Sequence, residues 1–133
     1  SYSVTGVQTC ALPIYNGMGE AVSWVKIEIF IPEDHVEVLR DALAEVGAGR
    51  IGNYDHCVSV TDVRGYWRPL DGATPYLGEV GAICAGTECK VEVNCPRTLA
   101  EAALKAIRAV HPYEEPLINV IPLLNAFGDT SLE

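Results

Sequence analysis

From Trp24 to Ile31 the chain reads WVKIEIFI, in which Val25, Ile27, Ile29 and Ile31 alternate with Lys26 and Glu28. Successive side chains of an extended strand point to opposite faces, so this period of two requires a strand with one buried face. The stretch ECKVEVNC, Glu88 to Cys95, alternates more strictly still and sends Cys89, Val91, Val93 and Cys95 to one side. Two further runs, CVSVTDV (Cys57 to Val63) and LINVIPL (Leu117 to Leu123), are rich in β-branched residues and read as strands. Pro122 in the last of these fits only near a strand end or on a sheet edge.

Between the strands the period changes to that of a helix. After Pro32, Glu33 and Asp34 stand where a helix dipole favours negative charge, and Val36, Leu39, Leu43 and Val46 recur at spacings of three and four until Gly47 or Gly49 ends the run. After Pro96, Thr98 and Glu101 have the spacing of a capping box, and Leu99, Ala103, Ala106, Ile107 and Val110 form a second apolar stripe. The order is β-α-β-β-α-β, an α+β sandwich of ferredoxin-like type in which two crossover helices cover one face of a four-stranded antiparallel sheet. The connection from Arg64 to Thr87 is long for a hairpin and rich in Gly, Pro and aromatics. It reads as a functional or interface loop, with room for a short extra strand around Glu79 to Cys84.

A chain of 133 residues with 49% hydrophobic content fits one domain with a buried core. Nine basic against eighteen acidic residues leave a net charge of −9, which repels nucleic acid and anionic membrane surfaces. No apolar run approaches the roughly 18 residues of a membrane helix, and no leader pattern is present, so the expected location is cytoplasmic. Five cysteines without a CxxC pair indicate neither a disulfide framework nor a zinc knuckle, and Cys89 and Cys95 read as core thiols. Residues 1–17 are uncharged and lack a regular period. Val4 to Ile14, VTGVQTCALPI, resembles the translation of a DNA sequencing adapter. The expectation is a non-native extension over 1–17, with no role for Cys10 and a true start at Met18, then a single domain over 18–125 and a tail over 126–133.

Three groups of residues could carry chemistry. In GAGRIGNYDHC, Asn53, Tyr54, Asp55 and His56 offer oxygen and nitrogen ligands to a divalent metal ion; the other reading is a turn whose glycines supply unusual backbone angles. In GYWRPLDGATPYLGEVG, Arg68 with Tyr66, Trp67 and Tyr76, and Arg64 just before, could hold a small anion or planar ligand by hydrogen bonds and stacking; the other reading is a loop whose aromatic pair, Tyr66 and Trp67, packs on the sheet or at a protein interface. Neither GxxxxGK[ST] nor GxGxxG occurs. In HPYEEP, His111 to Pro116, His111, Glu114 and Glu115 could bind a metal, or His111 could move protons with a carboxylate setting its pKa, or the segment could be a rigid elbow between helix and strand.

Taken in order, GAGRIGNYDHC, YWRPLDGATPYLG and HPYEEP resemble the domain inserted into many bacterial members of the Ngg-interacting-factor-three-like (NIF-three-like) family, over about Val25 to Leu123. HPYE before a β-branched strand also resembles the end of CutA, the divalent-cation-tolerance protein. These resemblances imply a PII/CutA-like fold and a homo-oligomer, a trimer or larger, joined through sheet edges and the long loop. They do not carry over the metal site of full-length NIF-three-like proteins, whose ligands lie outside the inserted domain. The function expected is a non-enzymatic regulatory or ligand-binding module of PII/CutA type, with a divalent metal at His56, Asp55, His111 and Glu114 or a small anion at Arg50, Arg68 and Tyr76 in subunit clefts. The alternative is a metal-dependent hydrolase in which His111 and Glu114 meet His56 around one water, as the GTP cyclohydrolase label of the full-length family would suggest.

Overall fold

The computed structural model describes residues 22–124. The expectations for residues 1–17, for Met18 as the start and for 126–133 fall outside the described residues. The elements are β1 (Trp24–Ile31), α1 (Val36–Glu45), β2 (Ser59–Trp67), β3 (Cys84–Pro96), α2 (Ala100–Val110) and β4 (Ile118–Leu123). A single 3-10 turn introduces each helix, Glu33–His35 before α1 and Arg97–Leu99 before α2. The four strands form one sheet in the order β2-β3-β1-β4 with every pairing antiparallel, the ferredoxin-like arrangement expected from the alternation of periods.

Alternation decides which face meets the helices. Val25, Ile27, Ile29 and Ile31 of β1 are buried, as are Val91, Val93 and Cys95 of β3, and they meet Leu39 and Leu43 of α1 and Ala103 and Ile107 of α2 in one core. Cys89 is buried on the same side, and burial pushes both core thiols above their ordinary pKa. They stay protonated and serve as packing. The opposite face carries Lys26, Glu28, Lys90, Glu92 and Asn94, with Lys26 paired to Glu92 at 3.4 Å.

The first helix closes on Gly47 in a Schellman arrangement: the Gly47 amide donates to Ala44 O and the Ala48 amide to Leu43 O, both at 3.0 Å, with Gly47 at φ +93°. No capping box forms on α2. The 3-10 turn places Leu99 at the cap with no side-chain hydrogen bond, so Thr98 sits within the turn instead. The hairpin arms also differ from expectation. β2 starts at Ser59 and β3 reaches back to Cys84, because Gly65 pairs with Gly86 and Tyr66 with Ala85 inside the ladder. The connecting loop is residues 68–83, and residues 79–83 are turn and bend with no extra strand. Pro122 lies in β4, an edge strand whose outer side has no ladder partner among the described residues.

Candidate functional site

The HPYEEP segment begins where α2 must stop. His111 precedes a proline and takes extended geometry, φ −78° and ψ 130°, and its own amide still closes the helix on Ile107 O at 3.0 Å. Its ring is then held at both nitrogens. Nε2 lies 2.7 Å from the Phe30 carbonyl oxygen, which can only accept, and Nδ1 lies 3.2 Å from the Tyr113 amide, which can only donate. The ring is therefore the neutral tautomer protonated at Nε2. Burial holds its pKa below the ordinary 6.5 and outweighs the opposing effect of the Phe30 hydrogen bond.

This gives a stability signature of known sign. Between the lowered folded value and the ordinary 6.5, the unfolded chain binds more protons than the folded one, so stability rises with pH across that window. The His111 contribution is complete above pH 6.5 and is lost as pH falls through the window. In urea titrations the midpoint of the native chain is expected to fall from about pH 7 toward about pH 5 more steeply than that of His111→Gln. Equal slopes would refute the assignment.

Tyr113 turns back toward the sheet, where its hydroxyl donates to Glu88 Oε1 at 3.0 Å; burial first, then this hydrogen bond, pushes the phenol pKa upward. A Cβ at residue 65 would collide with the same Glu88 carboxylate, so Gly65 leaves the room it occupies. Glu114 Oε1 accepts the Thr74 amide at 2.9 Å and ties the 68–83 loop to the junction. Trp67 donates from Nε1 to Leu77 O at 3.1 Å, and its ring lies so close to Gly86 that a methyl there would come within 3.3 Å. Tyr76 is tilted against Tyr113 with ring centres 5.8 Å apart and meets His35 edge-on at 6.4 Å.

These side chains enclose a cleft of about 460 Å³ on the sheet face away from the helices, since Phe30, Glu88 and Trp67 have the parity opposite to the core residues. Of the sequence candidates, Tyr66, Trp67, Arg68, Tyr76, Glu114 and Glu115 line it. Tyr66 remains 65% exposed. Sequence reasoning missed Phe30, Glu88 and Tyr113; only the parity of Phe30 and Glu88 on their strands could have signalled the first two.

The 47–57 segment lies elsewhere. Gly49 bridges the sheet and the turn, donating to Asn94 O at 3.0 Å and accepting from the Cys57 amide at 2.9 Å. Gly47, Gly49 and Gly52 all have positive φ, as the turn reading required, and His56 joins them at +59°. His56 Nδ1 is 2.9 Å from Asp55 and Nε2 is 3.6 Å from Asp41 on α1, and the hydrogen bond from His56 holds the Asp55 carboxyl below its usual range. Arg50 donates to Gly52 O at 3.0 Å within the turn, away from Arg68 and Tyr76.

Asn94 faces Lys26 on β1 whereas His111 is anchored at Phe30, so about 13 Å of strand separates the two groups at roughly 3.3 Å per residue. The four residues expected to share a metal are thus two separate pairs. His111 has no free lone pair for a ligand, and no group of three or more His, Cys, Asp or Glu side chains arranged for a metal occurs among the described residues. Nor do His56, His111 and Glu114 converge on one water.

Fold and topology define a ferredoxin-like α+β domain whose structural neighbours include CutA proteins. The divalent ion tolerance protein CutA1 from Ehrlichia chaffeensis matches 79% of this chain and 85% of its own, with a TM-score of 0.59 and 20% identity, a likeness of fold alone. In sequence the homologues are proteins named GTP cyclohydrolase 1 type 2 homolog: that of Mycobacterium leprae is 40% identical over 116 residues, 87% of this chain and 29% of its own length, and that of Bacillus subtilis is 37% identical over 98 residues, 74% of this chain and 26% of its own. The Bacillus cereus protein related to NIF3 joins the two sets, with a TM-score of 0.68 and 35% identity over 78% of this chain and 26% of that one. The chain therefore spans under a third of the length of the curated relatives it matches. No family model matches it. No described helix is long and apolar enough to cross a membrane.

Proposed function

We propose that the chain corresponds to the inserted domain of NIF-three-like proteins and acts as a non-enzymatic ligand-binding module of PII/CutA type. The observation that carries this reading is the cleft of about 460 Å³, a size suited to a small molecule, with polar groups converging on apolar and aromatic walls. Arg68, Tyr76 and Glu114 are the ligand contacts. The GTP cyclohydrolase label belongs to much longer relatives, of which this chain matches under a third, and the separation of His56 from His111 favours binding over hydrolysis. In a fragment titration followed by NMR, ligands are expected to shift the Trp67 indole N–H and the Gly86 amide, and Trp67→Ala should weaken them at least about tenfold. Hits that map elsewhere and ignore Trp67→Ala would sink the reading.

The module is a homo-oligomer, a trimer or larger, in this reading. Its support is the apolar surface at Tyr66 on the edge strand β2 and at Val120, Ile121 and Leu124 on and beyond β4, all exposed in the single chain beside strand edges that have no ladder partner among the described residues. A divalent cation at His56 and Asp55 is a second reading, favoured by the imidazole held between Asp55 and Asp41. Zinc or copper titration of the native chain against His56→Ala tests it, and equal uptake by both would refute it.

A further inference from the structure

The cleft has an unbalanced charge. Among the described residues that line it, Arg68 is the one basic residue beside three carboxylates, Glu88, Glu114 and Glu115, for a net charge of −2. Among the described residues no ion pair joins Arg68 or any cation to these acids. Glu88 and Glu114 are held by neutral donors, the Tyr113 hydroxyl and the Thr74 amide, which fix one oxygen of each without cancelling charge. Low-dielectric walls concentrate such a field in a cleft, and a chain charge of −9 adds to it.

The walls complement the charge. Phe30, Tyr66, Trp67, Tyr76 and Tyr113 all line the cleft, and aromatic faces attract cations through the ring quadrupole, most strongly for Trp. Carboxylates beside aromatic faces suit a positive charge carried on an apolar body. A free inorganic anion would meet three acids for one guanidinium.

We propose that the cleft binds a small organic ammonium ion, with its apolar body against Trp67 and Tyr76 and its charge toward Glu88, Glu114 and Glu115. This rests on the reading that the cleft is the binding site, and it sets the sign of ligand charge that the sequence had left toward anions at Arg68.

Three probes of one shape and different charge test it: 3-phenylpropylamine, 3-phenylpropan-1-ol and 3-phenylpropionate, titrated by calorimetry near neutral pH with the Trp67 indole N–H as a positional reporter. The amine is expected to bind about tenfold more tightly than the alcohol, and the carboxylate more weakly than either. The double variant Glu114→Gln, Glu115→Gln should remove most of the amine's roughly tenfold advantage over the alcohol. Glutamine at 114 can still accept the Thr74 amide, and an unchanged urea midpoint checks that the fold survives; Glu88→Gln, which keeps an acceptor for Tyr113, is the independent second variant. Carboxylate binding as tight as the amine's, or amine binding indifferent to both variants, overturns the cation assignment while leaving the cleft as a site. If none of the three probes moves the Trp67 signal at millimolar concentration, both proposals fall.

Discussion

Ile29→Ala is expected to lower the unfolding free energy by about 2–5 kcal/mol, and Ile29→Val by about 0.5–1.5 kcal/mol. Ile29 is fully buried at the middle of β1, paired with Val91 of β3 on one side and Ile118 of β4 on the other. Its side chain belongs to the core formed with Leu39, Leu43 and Ile107 of the two helices. Cutting it back removes apolar area and leaves a cavity between sheet and helices that neither layer can close alone. The check is the urea midpoint at constant m-value. A loss below about 1 kcal/mol for the alanine variant would mean that the helices do not rest on β1 as described.

Gly49→Ala is expected to cost about 2–3 kcal/mol, from two causes that can be separated. The residue has φ +85°, and a Cβ there would lie 3.0 Å from Cys57 O and 3.2 Å from Cys57 N. Neither backbone atom can yield easily, because the Cys57 amide is bonded to Gly49 itself and Gly49 in turn to Asn94. Gly52 is the control: φ is +59° and a Cβ there would meet nothing within 4 Å, so Gly52→Ala carries only the left-handed penalty of about 1 kcal/mol. Equal losses at both positions would show that the close approach to Cys57 contributes nothing.

Much of the architecture was readable because β1 and β3 obey alternation strictly, and because the stripes Leu39/Leu43 and Ala103/Ile107 are the residues the helices bury. The inner arms of the hairpin were not readable. Gly65 and Gly86 suggested a loop, yet they face each other within the ladder, where their missing side chains admit Glu88 and the Trp67 ring. β2 hid its start for another reason: as an edge strand exposed on most of its length, it has little burial to impose a pattern. At the site, HPYEEP was legible as a rigid elbow, since two prolines and a pre-proline histidine restrict the backbone whatever the tertiary contacts. What His111 touches was not, because its partner carbonyl lies 81 residues away and main-chain oxygens leave no trace in a sequence. The Glu88–Tyr113 pair was hidden for a different reason: both partners are side chains visible in the sequence, but they lie 25 residues apart and meet only once the sheet and the junction are in place.

That hydrogen bond from His111 to Phe30, with the Phe30 amide donating to Leu117 O at 3.2 Å, has a kinetic consequence. Contacts closing so long a loop are slow to form, since chain entropy must be lost before they repay it. The cleft needs the HPYEEP junction for Tyr113, Glu114 and Glu115 and the first strand for Phe30. During synthesis, then, the core residues of β1, α1, β3 and α2 are available before the cleft walls can be completed. The cleft walls are therefore complete only once the HPYEEP junction has closed onto the first strand.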